Sequence, residues 1–128
     1  MKSYIHSKNA ANRYGGKPED YNEINSFIDS TKSAYAGIQH RAILHSAFGI
    51  FIVEKVFGVT ITNSDKAIVC VRDIAEYHVL EDLGFIPSID DWVKNMPVEL
   101  WMAGGKRHEI KKNRKMLIQR KDLPNEKI

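Results

Sequence analysis

Between Ala36 and Phe57 the chain is apolar on nearly every side of a helical wheel. Ile38, Ala42, Ile43, Ala47, Phe48, Ile50, Phe51, Ile52, Val53 and Val56 cover much of the circumference. A helix apolar most of the way round belongs at the centre of a fold, with other elements packed on several sides. Gly58 ends this run, and the period changes behind it. Val59-Thr60-Ile61-Thr62 and Ala67-Ile68-Val69-Cys70-Val71 are β-rich and flank the turn cluster Asn63-Ser64-Asp65-Lys66. That pattern predicts an antiparallel hairpin near 59–71. Two strands alone are marginally stable, so the hairpin must lean on helices.

Three further helices are predicted around the central one. Ser3 suits the N-cap of a first helix that runs to about Arg13 and stops at Gly15-Gly16. Pro18, Glu19 and Asp20 suit the opening turn of a second. Tyr21, Ile24, Phe27 and Ile28 give that helix a buried stripe, and it should end between Lys32 and Tyr35. A fourth runs from Arg72 or Asp73 to Leu83, with Gly84 as its stop. Ser88, followed by Asp90 and Asp91, caps a short last helix that Trp92 and Val93 would dock and Pro97 would end. Leu100-Trp101-Met102 is the final apolar anchor before Gly104-Gly105. The predicted class is mainly α: a compact helical domain over 1–103 with one inserted β-hairpin, and a basic C-terminal tail over 104–128.

Charge divides the same way. Residues 1–103 carry ten Lys/Arg against thirteen Asp/Glu, whereas 104–128 carry nine against three. The basic isoelectric point therefore belongs to the tail. Lys106, Arg107, Lys111, Lys112, Arg114 and Lys115 are candidate phosphate contacts for a nucleic acid. No aromatic residue follows Trp101 to stack on bases, and a solvated tail explains the charge equally. The apolar stretch from Ala47 to Val53 is too short to span a bilayer, which excludes a membrane helix there. No apolar segment follows Met1-Lys2-Ser3-Tyr4-Ile5-His6, so a cytoplasmic location is expected. Cys70 is the sole cysteine, which precludes an internal disulfide, and its apolar neighbours suggest a small buried hydrophobe.

The five histidines carry the chemistry: His6, His40, His45, His78 and His108. On one continuous helix His40 and His45 would lie about 140° apart, which does not make a chelating pair. Gly49, one turn after His45, leaves room for a close approach. In Glu76-Tyr77-His78-Val79-Leu80-Glu81-Asp82, both Glu81 and Asp82 sit one turn from His78. A histidine and a carboxylate so spaced can share a divalent ion, or the carboxylate can orient the imidazole. The expected site lies between the third and fourth helices. His45, His78 and Asp82 would be ligands, His40 or His6 would complete the set, and Glu81 would be the catalytic base. Zinc, manganese or iron suits such nitrogen and oxygen donors, and an open position could activate water for hydrolysis. Hydrogen-bonded structural histidines and a solvated acidic face account for the same residues without an ion. No HExxH or paired CxxC motif is present. Gly15-Gly16-Lys17 and Gly104-Gly105-Lys106 lack the phosphate-loop pattern. Ser46 and His45, as adjacent helical residues, do not face each other.

Several short segments occur together: Gly15-Gly16-Lys17-Pro18-Glu19-Asp20-Tyr21; His40-Arg41-Ala42 with His45 and Gly49; Phe57-Gly58-Val59-Thr60-Ile61-Thr62-Asn63-Ser64-Asp65; His78 with Glu81-Asp82-Leu83-Gly84; Ile86-Pro87-Ser88; and Asp91-Trp92. In this order the chain resembles, over roughly residues 4–102, a small family of bacterial and phage proteins of unknown function. The resemblance implies a prokaryotic or viral cytoplasmic protein and brings no activity with it. The family pattern has histidines where this chain has Asn25 and Ser46, which implies fewer ligands here. Three readings follow from the residues. The first is a divalent-metal protein with hydrolytic chemistry. The second is a non-enzymatic interaction protein that binds a host protein or nucleic acid. The third is a binder of a small ligand, such as a phosphorylated one, that uses the same histidine cleft without a metal.

Overall fold

A computed structural model describes residues 1–104. Six α-helices and one hairpin make up the described residues, so the fold is mainly α as predicted. Residues 1–94 form one compact unit, and a second begins at Asn95, where the described chain ends in a 3-10 turn over Leu100–Ala103. The tail residues Lys106, Arg107, Lys111, Lys112, Arg114 and Lys115 lie outside the described residues, as does His108. No helix among the described residues is long and apolar enough to cross a membrane.

Helix α1 spans Ser3–Tyr14 and stops at Gly15, whose φ of 85° suits a residue without a Cβ. Ser3 does not cap it: the helix begins after Lys2, and the Ser3 hydroxyl donates instead to Asp29 Oδ2 at 2.8 Å. A 3-10 turn over Pro18–Tyr21 leads into α2, Asn22–Asp29, and a second 3-10 turn over Ser30–Ser33 carries the chain to the expected end point. The hairpin pairs β1, Thr60–Thr62, with β2, Ile68–Cys70, in the register Thr60↔Cys70, Ile61↔Val69 and Thr62↔Ile68. Asn63 locks its turn, accepting at Oδ1 from the backbone of Asp65 and Ala67. Asp20 ties the turn to the helical body by accepting from the Ser64 backbone and hydroxyl. Successive strand residues point to opposite sides. Val69 therefore faces the core while Ile68 and Cys70 face out, so Cys70 is exposed rather than buried as its neighbours suggested. Helix α5 follows directly over Val71–Leu83 and ends at left-handed Gly84; α6, Ile89–Val93, starts with the Ser88–Asp91 capping box.

The long central helix does not exist. Its segment forms a 3-10 turn over Ile38–His40, a single turn α3 over Arg41–Leu44, and α4 over Ala47–Phe57. His45 leaves helical geometry (φ −91°, ψ 63°), and Ser46 is extended, with its side chain accepting from Gly49 N as the cap of α4. Tertiary bonds hold the break open: Ala47 N donates to the Pro87 carbonyl at 2.8 Å, and Trp92 Nε1 donates to the His45 carbonyl at 2.9 Å. Gly49 packs against the Leu44 backbone, so its missing side chain admits the preceding turn. The redirected α4 buries Ile50 and Val53 against α2 and α5, while Phe48, Phe51 and Val56 stay about half exposed. It is thus a wall of the core, not its centre. The core itself gathers Tyr21, Ile24 and Ile28 of the second helical segment, Ile50 and Val53 of α4, and Ile74, Ala75 and Val79 of α5.

A Cβ on Gly49 would collide with the Leu44 carbonyl, and that backbone has no flexible end to yield. Gly49→Ala should cost about 2 kcal/mol of stability. Urea denaturation should show it as a lower midpoint at unchanged slope.

Candidate metal centre

Helix α5 supplies the frame. His78 and Asp82 stand one turn apart and face the same side, with His78 Nε2 at 3.4 Å from Asp82 Oδ2. The break between α3 and α4 brings in His45, whose Nε2 lies 2.9 Å from Asp82 Oδ2. The last residue of α2 brings in Asp29, with Oδ1 at 3.1 Å from His78 Nε2 and 3.5 Å from His45 Nε2. One ligand atom from each of Asp29, His45, His78 and Asp82 lies within 4.8 Å of all the others. These four groups could hold a metal ion.

The neighbours set ring orientations. Asn25 donates through its amide nitrogen to Ser7 Oγ and the Tyr21 carbonyl, which leaves its Oδ1 to accept from His78 Nδ1 at 2.8 Å. His78 therefore carries a proton on Nδ1 and turns Nε2 toward the carboxylates. His45 has no such brace: its Nδ1 is buried without a hydrogen-bond partner among the described residues.

His6 and His40 are nearby but stand outside the four-group set. His6, on α1, stacks on His78 with ring centroids 3.6 Å apart. Its Nε2 lies 3.2 Å from Asp82 Oδ1, the oxygen turned away from His45. The Met1 amino group lies 3.2 Å from that same oxygen and Arg41 3.8 Å. Glu81 does not meet His78 as the helical spacing allowed. One of its oxygens bonds His6 Nδ1 at 2.7 Å and the other accepts from Asn9 at 2.7 Å. His40 contacts the Thr31 hydroxyl through Nδ1 at 2.8 Å, and its ring is edge-on to His45 at 6.2 Å.

Asp29 is the residue that spacing arguments missed. The helix pattern does contain a signal. An acid in the last turn of a helix faces the negative end of the helix dipole, so it needs a compensating partner. Here the partners are Ser3, His78 and His45.

Burial works against an ionised Asp82, yet hydrogen bonds from His45, His6 and His78 outweigh it and hold the carboxyl far below its usual range. Burial likewise opposes an ionised Asp29, and the bond and charge of His78 together with the Ser3 hydroxyl keep it low. Burial opposes the His78 imidazolium, but bonds to Asp29 and Asp82 raise it above the ordinary histidine value. His40 moves the other way, pushed down by burial and then by the charge of His45.

These shifts predict how the metal-free protein responds to pH. The lowered carboxyls contribute stability that is present above their unfolded value of about 3.9 and lost as pH falls through the folded values. The raised His78 contributes stability that is present below about 6.5 and lost as pH rises through its folded value. The lowered His40 acts the opposite way and withdraws stability as pH falls below about 6.5, so thermal melts of metal-free protein should fall at acid pH as the carboxyls protonate and should decline on the alkaline side through His78. His78→Gln should flatten the alkaline decline.

No curated protein and no solved structure matches the chain. A family defined by a domain of unknown function, DUF6915, matches residues 1–102, and the chain belongs to that family.

Proposed function

We propose that this chain is a divalent-metal protein of hydrolytic type, with Asp29, His45, His78 and Asp82 as ligands. The observation that carries this reading is convergence. Four donor groups from α2, the α3–α4 junction and α5 meet within 4.8 Å, a span small enough for one ion. Two imidazoles and two carboxylates suit zinc, manganese or iron(II), and the two acids bring charge to match a dication. The supports behind three of the four ligands agree with it. Metal-bound histidines usually donate their second ring N–H to an oxygen acceptor, and Asn25 accepts from His78 in this way. Ser3 braces Asp29, and His6 braces the far oxygen of Asp82.

The bound ion would supply an acidified water molecule. His6 and His40 flank the centre rather than ligate. Glu81, whose two oxygens are taken by His6 and Asn9, orients His6 instead of drawing a proton from water. His78 must surrender its Nε2 proton for that nitrogen to bind metal, so loading strengthens as pH rises through the raised His78 value.

Inductively coupled plasma mass spectrometry of purified protein should find about one metal per chain after incubation with zinc, manganese or iron(II). His45→Ala and Asp29→Asn should lose it while circular dichroism shows a folded chain. Asn25→Leu should retain the ligands but weaken affinity about 10- to 100-fold. Wild-type protein that takes up none of the three ions would sink this reading.

A further inference from the structure

We infer that the metal centre serves a phosphoryl group, held in the cavity that opens beside Asp29; this rests on the metal reading above. The cavity has a volume of about 410 Å³, and its wall includes Lys2, Ser3, Asp29, Lys32, His40 and Arg41. That volume falls within the range of about 300–1,000 Å³ in which proteins hold small molecules. Asp29 belongs both to this wall and to the four-group set, so the cavity borders the proposed metal position through that one carboxylate.

The charges on the wall specify the ligand. Lys2 and Lys32 form no salt bridge among the described residues. Among the described residues Arg41 pairs only with Asp82, at 3.8 Å, and that carboxylate is already shared among histidines. Once a dication balances Asp29 and Asp82, the centre is neutral and these three side chains leave the cavity cationic. They come from separate places: the residue before α1, the 3-10 turn after α2, and the start of α3. Cations arriving from several directions suit a tetrahedral dianion, whose oxygens also point several ways. A carboxylate offers two oxygens in one plane. The cavity of about 320 Å³ walled by Ala47, Phe51, Arg72 and Glu76 makes the contrast, because its Arg72 is paired with Glu76 at 3.0 Å.

The test uses Mn²⁺-loaded full-length protein, with metal content measured on the same sample. Inorganic phosphate is titrated and its ³¹P resonance followed, since bound manganese broadens the signal of any phosphate beside it. Saturable broadening is expected, and phenyl phosphate should compete, which would show that the ester as well as the free ion is accepted. Lys32→Ala and Lys2→Ala should keep full metal content and each weaken phosphate about tenfold. Metal-loaded protein that gives no saturable broadening would overturn this inference while leaving the metal reading intact. So would variants that bind phosphate as tightly as wild type. A protein that loads no manganese, zinc or iron would instead remove the metal reading, and this inference with it. Failure of phenyl phosphate to compete would restrict the site to free phosphate and overturn the ester as its ligand.

Discussion

The Asp82 carboxylate has no exposed surface and is surrounded by imidazoles from three parts of the chain. Taking an ionised acid out of water is costly, and removing a partner from such a group destabilises more than the bond itself is worth. The rest of the unit is arranged so that no partner is missing. His6 ties α1 to α5, and His45 ties the α3–α4 junction to α5. His78, one turn away on α5, links Asp82 to Asp29 at the end of α2. The apolar core brings the helices together, and this polar knot sets where they stop relative to one another.

The same knot explains why the break at His45 and Ser46 is where it is. A continuous helix through Ala36–Phe57 would have satisfied local periodicity. The actual chain abandons helical bonds there, replaces them with bonds from Trp92, Pro87 and the Ser46 hydroxyl, and so delivers His45 to Asp82. These three bonds replace part of what the interrupted helix gives up, as buried backbone requires.

Much of this was legible in the residues. Gly15, Gly58 and Gly84 end helices where expected, Ser88 caps the last one, and the hairpin lies where the period changed. Helical spacing also placed His78 and Asp82 on one face, and the structure brings both together with His45. What was not legible depends on contacts distant in sequence. The break hides inside an unbroken apolar pattern, since Ala47 and Phe48 continue the stripe of Ala42 and Ile43. Its local signs are only a serine of N-cap type and a glycine three residues on. Asp29 sits in another helix from the histidines, and spacing along one helix cannot register such a neighbour. Cys70 was misjudged because a β-rich run does not reveal which of its two faces is buried.

Trp92 stands one hydrogen bond from the centre, since its indole donates to the carbonyl of the very residue whose imidazole reaches Asp82. An indole's emission responds to the strength of that bond and to the water around it. Any shift of the His45 backbone at this junction moves the acceptor of that bond. The indole of Trp92 is therefore a native optical reporter of the α3–α4 junction itself.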